Sequence, residues 1–212
     1  MKIVDANLYE KIYAESAVLI DVFRATTSIV VMLHKGVKEI IPFENESLAR
    51  IFLKDHKNYI TVGEKDGIKI EEFDYGNSPV ELMNADIEGK SVVFVTTNGT
   101  RVLKKIEAKN IYFAAFLNAD YILDFVNEKT TIVCANRINL FSIEDFMCAS
   151  YIKAKYEKKS IDFKKIKDII LRSKSAERLR SLNAENDMLF SLNLNTIKIV
   201  PIYKDGKIIK LK

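Results

Sequence analysis

Short apolar runs and amphipathic stretches alternate along most of the chain. Apolar runs at 18–22, 37–43, 59–62, 91–96, 110–116 and 131–135 read as buried strands, and helical periodicity fills 27–34, 46–55, 100–106 and 119–127 between them. Strands apolar on both faces, separated by helices of about ten residues, predict α/β crossover units and a largely parallel sheet with helices on both faces. Residues 1–15 read as an edge strand and a turn. The stretch 62–88 breaks the rhythm. It is rich in Gly, Asn, Pro and acids, with one brief alternating segment at 68–73, and is expected to be a functional loop.

Beyond 142 the character changes. Ser142-Ile-Glu-Asp145 reads as a capping box opening a helix to about 155, with further helices at 162–172, 176–181 and 184–192. The tail, 197–212, reads as a hairpin turning at Asp205-Gly206. A chain of 212 residues is expected to form one domain, 1–212, with a helical and hairpin C-terminal part from about 142.

Charge and composition narrow the function classes. The net charge of +4 is mild, and its lysine-rich parts, 153–174 and 204–212, lack the interleaved aromatics of a nucleic-acid surface. Glu157, Asp162 and Asp168 among those lysines make a solvated helix face, so no nucleic-acid partner is expected. The two cysteines, Cys134 and Cys148, sit in apolar stretches without metal spacing, as in a reducing compartment. No apolar run approaches about 18 residues, and acids occupy the place of a signal-peptide core. The expectation is a cytoplasmic protein with no membrane partner.

Candidate chemistry gathers where strands end. Val18-Leu-Ile-Asp-Val-Phe-Arg-Ala-Thr-Thr-Ser28 places Asp21 and Arg24, with Thr26 and Thr27, between a buried strand and a helix start, the setting of an anion or metal-phosphate site or of a plain helix cap. Thr96-Thr-Asn-Gly-Thr-Arg101 repeats that grammar: Thr97, Asn98 and Thr100 offer hydrogen bonds, Gly99 allows close backbone approach, and Arg101 offers a planar fork. Cys134 precedes Ala135-Asn136-Arg137, but the arginine spacing of a cysteine phosphatase falls on Leu140. Glu144 and Asp145 favour the helix dipole and are placed to reach a metal. The two histidines are not clustered as zinc needs, no His is well placed for a Ser-His-Asp triad and no Gly-x-Ser-x-Gly occurs, and a complete Walker A motif is absent. What survives is an oxygen-ligated metal, Mg2+, working with substrate phosphate.

These motifs, together with Gly63-Glu64, Phe73-Asp-Tyr-Gly-Asn-Ser-Pro79, Phe116-Leu-Asn-Ala119, Val133-Cys-Ala135 and Phe141-Ser-Ile-Glu-Asp145, occur in order from about 16 to 150 and resemble the 2-phosphosulfolactate phosphatases. The resemblance implies a three-layer α/β sandwich of the ComB type with a mostly parallel or mixed sheet. It implies a Mg2+-dependent hydrolase converting 2-phospho-3-sulfolactate to 3-sulfolactate and phosphate, a step of coenzyme M biosynthesis, and it allows a homodimer. Alternatives left open are a phosphatase for another small phosphorylated hydroxy acid and a non-catalytic phospho-acid binder. Asp21, Glu64 and Arg24 carry over as catalytic. Arg24, Thr26, Thr27, Asn77, Ser78, Thr97, Asn98, Gly99, Thr100, Arg101, Asn118 and Cys134 carry over as substrate contacts, and Asp21, Glu64, Glu144 and Asp145 as metal ligands. The chain departs from the family pattern at Gly63-Glu-Lys-Asp-Gly67, at Asn136, where glycine is usual, and around Ser175-Ala-Glu-Arg178, where a His-Gly-Arg segment is usual.

Overall fold

In the computed structural model, which describes residues 1–137 and 140–211, the apolar runs become a mixed sheet with helices on both faces. Its strands are β1 (Lys2–Asp5), β2 (Ile12–Ile20), β3 (Glu39–Phe43), β4 (Ile60–Lys65), β5 (Ile68–Lys69), β6 (Ser91–Val95), β7 (Ile106–Ala114), β8 (Thr130–Cys134), β9 (Pro201–Lys204) and β10 (Lys207–Lys210). They lie in the order β1-β8-β2-β7-β9-β10-β3-β6-β4-β5. Two parallel groups, β1-β8-β2-β7 and β3-β6-β4, are thus joined through the hairpin β9-β10, which runs antiparallel to both β7 and β3. Asp205 (φ 51°) and Gly206 (φ 81°) both take left-handed backbone at its tip, as a two-residue I′ turn requires. The tail therefore sits at the middle of the sheet.

Helices α1 (Ala25–His34), α2 (Glu46–Asp55), α3 (Pro79–Asn84), α4 (Gly99–Leu103), α5 (Ile143–Tyr156), α6 (Phe163–Leu171), α7 (Lys174–Ser181) and α8 (Glu185–Ser191) complete the layers. Period-two alternation sorts the core. On β2, Ala17 and Leu19 pack with α1, while Val18 and Ile20 face the opposite side with Cys148 and Ile152 of α5 and Ile166 of α6. On β6, Val92 and Phe94 join α1's side and Val93 and Val95 pack against Ala49 of α2. Helix α1 is buried from Ala25 to Leu33. Its Ile-Val-Val run is a modest helix former, so tertiary packing of an all-round apolar helix holds it.

Three local expectations are corrected. Helix α4 ends at Leu103, because Ile106 already begins the nine-residue β7, whose Glu107–Lys109 start is too polar to show as a buried strand. The helix expected over 119–127 is one 3-10 segment, Tyr121–Phe125, preceded by another at Phe116–Asn118. The stretch 62–88 carries the end of β4, β5 and α3 rather than an unstructured loop. Lys212, the last residue of the expected tail, lies outside the described residues. Among the described residues, no helix is long and apolar enough to cross a membrane.

Candidate active site

The carboxyl ends of β2, β4, β6 and β8 converge on one cavity, as strand ends do in open α/β sheets. Register explains the first pair. Ile20 is level with Cys134, and Ala135 N–H donates to Ile20 O at 2.8 Å, so Asp21 and Asn136 leave adjacent parallel strands together. Asp145, in the first turn of α5, fastens both exits. Its Oδ1 accepts from Val22 N–H at 2.8 Å and its Oδ2 from Asn136 N–H at 3.0 Å. Ser142 is the α5 N-cap residue, yet its hydroxyl makes no capping hydrogen bond, and Asp145 is committed to this clamp instead of a capping box.

Glu64 does the same for the other half of the sheet. Its Oε1 accepts from Thr97 N–H at 2.7 Å, while Oε2 accepts from Gly67 N–H at 2.5 Å and Thr97 Oγ1 at 3.0 Å. Gly99 brings the β6 loop onto α1. A Cβ there would lie 2.8 Å from Ala25 Cβ and 3.3 Å from Asp21 Oδ2. Gly99→Ala should therefore displace the loop, and the phosphate release expected from the sequence should fall by about 10²-fold in kcat/KM. Steady-state assays beside a circular-dichroism melt would separate this from unfolding.

The start of α1 is occupied by its own chain. Asp21 Oδ1 accepts from Ala25 N–H at 3.3 Å and its carbonyl accepts from Thr26 N–H at 2.9 Å. A carboxylate stands where an anion was expected, and Oδ2 is left without a hydrogen bond on the cavity side. Thr26 and Thr27 are fully buried and donate back to the carbonyls of Asp21 and Val22. Thr100 likewise bonds Thr96 O. Ser78 donates to Asp187 at 2.5 Å, and Asn118 holds Phe113 O and Ile199 O. Cys134 is buried in β8, its thiol pushed far up by burial. None of these six side chains reaches the cavity lining, nor do Gly99 and Arg101. Asp21, Arg24, Glu64, Asn77, Thr97, Asn98, Glu144 and Asp145 do.

Arg24 enters the cavity already paired. Its Nη1 donates to Asp187 Oδ2 at 2.6 Å, with both side chains less than a tenth exposed, and its Nη2 donates to Gly67 O at 2.9 Å. The remaining cations come from residues to which sequence reasoning gave no role. Arg137 follows β8, and Arg178 on α7 donates to Asp66 O. Burial lowers the Arg178 pKa, with the like charges of Arg137 and Arg24 adding to that and Asp66 and Glu64 opposing it. Guanidinium groups that repel one another around an open space favour an anion there.

The acidic wall shows the converse. Burial lifts Asp21 from 3.8 to about 7, helped by Glu64 and opposed by the Ala25 N–H and Arg24. Glu144 rises from 4.5 to about 7, chiefly by burial, with the Asp21 charge adding to it. Asp145 is raised well above 3.8 by burial and by both neighbours. Among the described residues, no three His, Cys, Asp or Glu side chains are gathered to hold a metal. Glu64 and Asp145 have each oxygen engaged by a backbone N–H, which leaves, among the described residues, Asp21 Oδ2 and the buried Glu144 Oε2 without a hydrogen-bond partner. Two open carboxylates, with substrate phosphate and water, are an ordinary donor set for Mg2+. The residues present fit that ion.

The family model described as 2-phosphosulpholactate phosphatase matches residues 3–206. The chain is 35% identical over 230 residues to a probable 2-phosphosulfolactate phosphatase of Clostridium beijerinckii, covering 97% of this chain and 94% of that one. It is 35% identical over 202 residues to a protein of the same description from Thermoplasma volcanium, covering 94% of each. To the 2-phosphosulfolactate phosphatase of Methanocaldococcus jannaschii it is 36% identical over 209 residues, covering 90% of each.

Proposed function

Since the chain belongs to the 2-phosphosulfolactate phosphatase family, we propose that it is a Mg2+-dependent phosphatase that hydrolyses 2-phospho-3-sulfolactate to 3-sulfolactate and phosphate. The observation that carries this reading is the gathering of two mutually repelling carboxylates, Asp21 and Glu144, and of Arg137 and Arg178 around one cavity. A small acid bearing phosphate, sulfonate and carboxylate matches that division of charge.

Asp21 and Glu144 would hold Mg2+, which when bound supplies charge neutralisation at the phosphoryl oxygens. Arg137 and Arg178 meet the substrate's anionic groups, a task Arg24 shares only in part because Asp187 already balances it. Asp21 presents Oδ2 to the reacting group, and the Ala25 N–H on Oδ1 fixes its rotation. Glu64 and Asp145 act at one remove, by pinning the loops that carry Thr97 and Asn136.

Phosphate release from 2-phosphosulfolactate, phospholactate and phosphoglycolate, each with Mg2+ and with chelator, tests the proposal. Turnover of the sulfonate substrate should exceed the others and vanish with chelator. Equal rates on all three would remove the substrate assignment, and undiminished rates in chelator would remove the metal.

A second measurement needs no turnover. Asp21 and Glu144 hold protons more tightly in the folded chain than in the unfolded one, so the stability they contribute is present below 3.8–4.5 and lost as pH rises through about 7. The metal-free protein should lose Tm between about pH 4 and 7, and the Tm gain on adding Mg2+ should grow as pH rises through about 7. Scanning fluorimetry at several pH values checks both.

A further inference from the structure

Asn136 has a backbone conformation and an unused hydrogen-bond group that ask for separate explanations. Its φ is 53°, in the left-handed region where glycine is the default and asparagine the usual substitute. That accounts for asparagine standing where the family pattern has glycine. It does not account for the side chain, which is 2% exposed and lines the cavity. Oδ1 accepts from Ser142 N–H at 2.8 Å, and this fixes which way the carboxamide faces. Nδ2 is thereby the free end, and among the described residues it is buried without a hydrogen-bond partner. Backbone and side chain are both tied down, since Asp145 Oδ2 holds the Asn136 N–H.

A rigid buried donor with no partner carries a standing desolvation cost that an incoming acceptor removes. Its neighbours say which acceptor fits. Glu144 and Asp145 line the same wall, so a cation at this position would pair with them and spoil the carboxylates, whereas a neutral amide leaves their charge intact. The group that must approach those carboxylates is the phosphoryl group.

On the phosphatase reading above, we propose that Asn136 is a substrate-binding residue, its Nδ2 donating to a phosphoryl oxygen, a contact that glycine at this position would not supply.

Two variants isolate the contact. Asn136→Asp keeps an acceptor for Ser142 N–H and tolerates the left-handed backbone, but turns the free donor into an anionic oxygen. Asn136→Gly relaxes the backbone and removes the side chain. Calorimetric titration of inorganic phosphate in Mg2+ should show affinity lower by at least about 30-fold in the first and about tenfold in the second. KM for 2-phosphosulfolactate should rise in the same order. A purely structural role would lower Tm in Asn136→Gly while leaving phosphate affinity in Asn136→Asp within about twofold of the unmodified protein, and that result overturns the proposal. Unmodified protein that binds phosphate but hydrolyses no 2-phospho acid would overturn the functional reading alone. Protein that does neither would overturn both.

Discussion

Asp21→Asn is expected to reduce phosphate release by at least about 10³-fold while leaving Tm at pH 8 no lower than that of the unmodified protein. The two halves of this result have one cause. Asp21 is a buried carboxyl whose pKa is lifted to about 7, so above that pH the folded chain carries a charge that burial and Glu64 disfavour. The amide removes that charge. It keeps an oxygen for the Ala25 N–H, so the start of α1 retains its cap. What it loses is the anionic Oδ2 facing the cavity, the half of the carboxylate that no hydrogen bond claims. Activity lost at no cost in stability is the signature of a group kept for chemistry. Full activity in this variant would remove Asp21 from the site, and a large drop in Tm would make it a structural residue.

The second large effect is on the fold. Asp187→Ala should cost about 3–5 kcal/mol, because it leaves the Arg24 guanidinium buried without its partner. The pair is 2.6 Å apart, with side-chain exposures of 7% and 6%, so water cannot take over. Ser78 loses its acceptor in the same step, and with it the tie between α3 and α8. A fall in Tm of roughly 10 °C is expected for a chain of this size. The double variant Arg24→Met/Asp187→Leu should recover much of that stability, since apolar residues of similar volume replace buried ion pairs at little cost. Denaturant melts of the three proteins decide it: a single variant within about 1 kcal/mol of the unmodified protein would show the pair to be dispensable.

The same residues show where sequence reading works and where it stops. Strand positions were legible because β2, β6 and β8 are apolar on both faces, a pattern that needs no partner to recognise. The hydroxyls of Thr26 and Thr27 looked like ligand contacts because they stand at a strand end, yet bonds to carbonyls five residues back consume them. Glu64 and Asp145 were recognisable as site residues, but not as clamps, since their partners are backbone amides with no side-chain signature. Asp187 resembled an ordinary acid in the first turn of a helix; only the fold reveals that Arg24, 163 positions earlier, lies against it. Arg178 lay in a segment already marked as departing from the family pattern, but its contact with Asp66 left no trace in the sequence. A close match between distant segments leaves no periodic trace in either one.

The hairpin at the middle of the sheet sets a timetable for the ribosome. Strands β2, β7 and β8 can pair as they emerge, and so can β3, β4 and β6, but no strand pairing joins the two groups until residues 201–210 have been made. The ion pair of Lys207 with Glu39, at 2.6 Å, closes a span of 168 residues. Until then β7 and β3 each present an open edge, the kind of surface on which nascent chains pair wrongly. Seam closure thus waits for the 201–210 segment and is a contact of very long range, which predicts slow folding of the sheet and a period of dependence on chaperones.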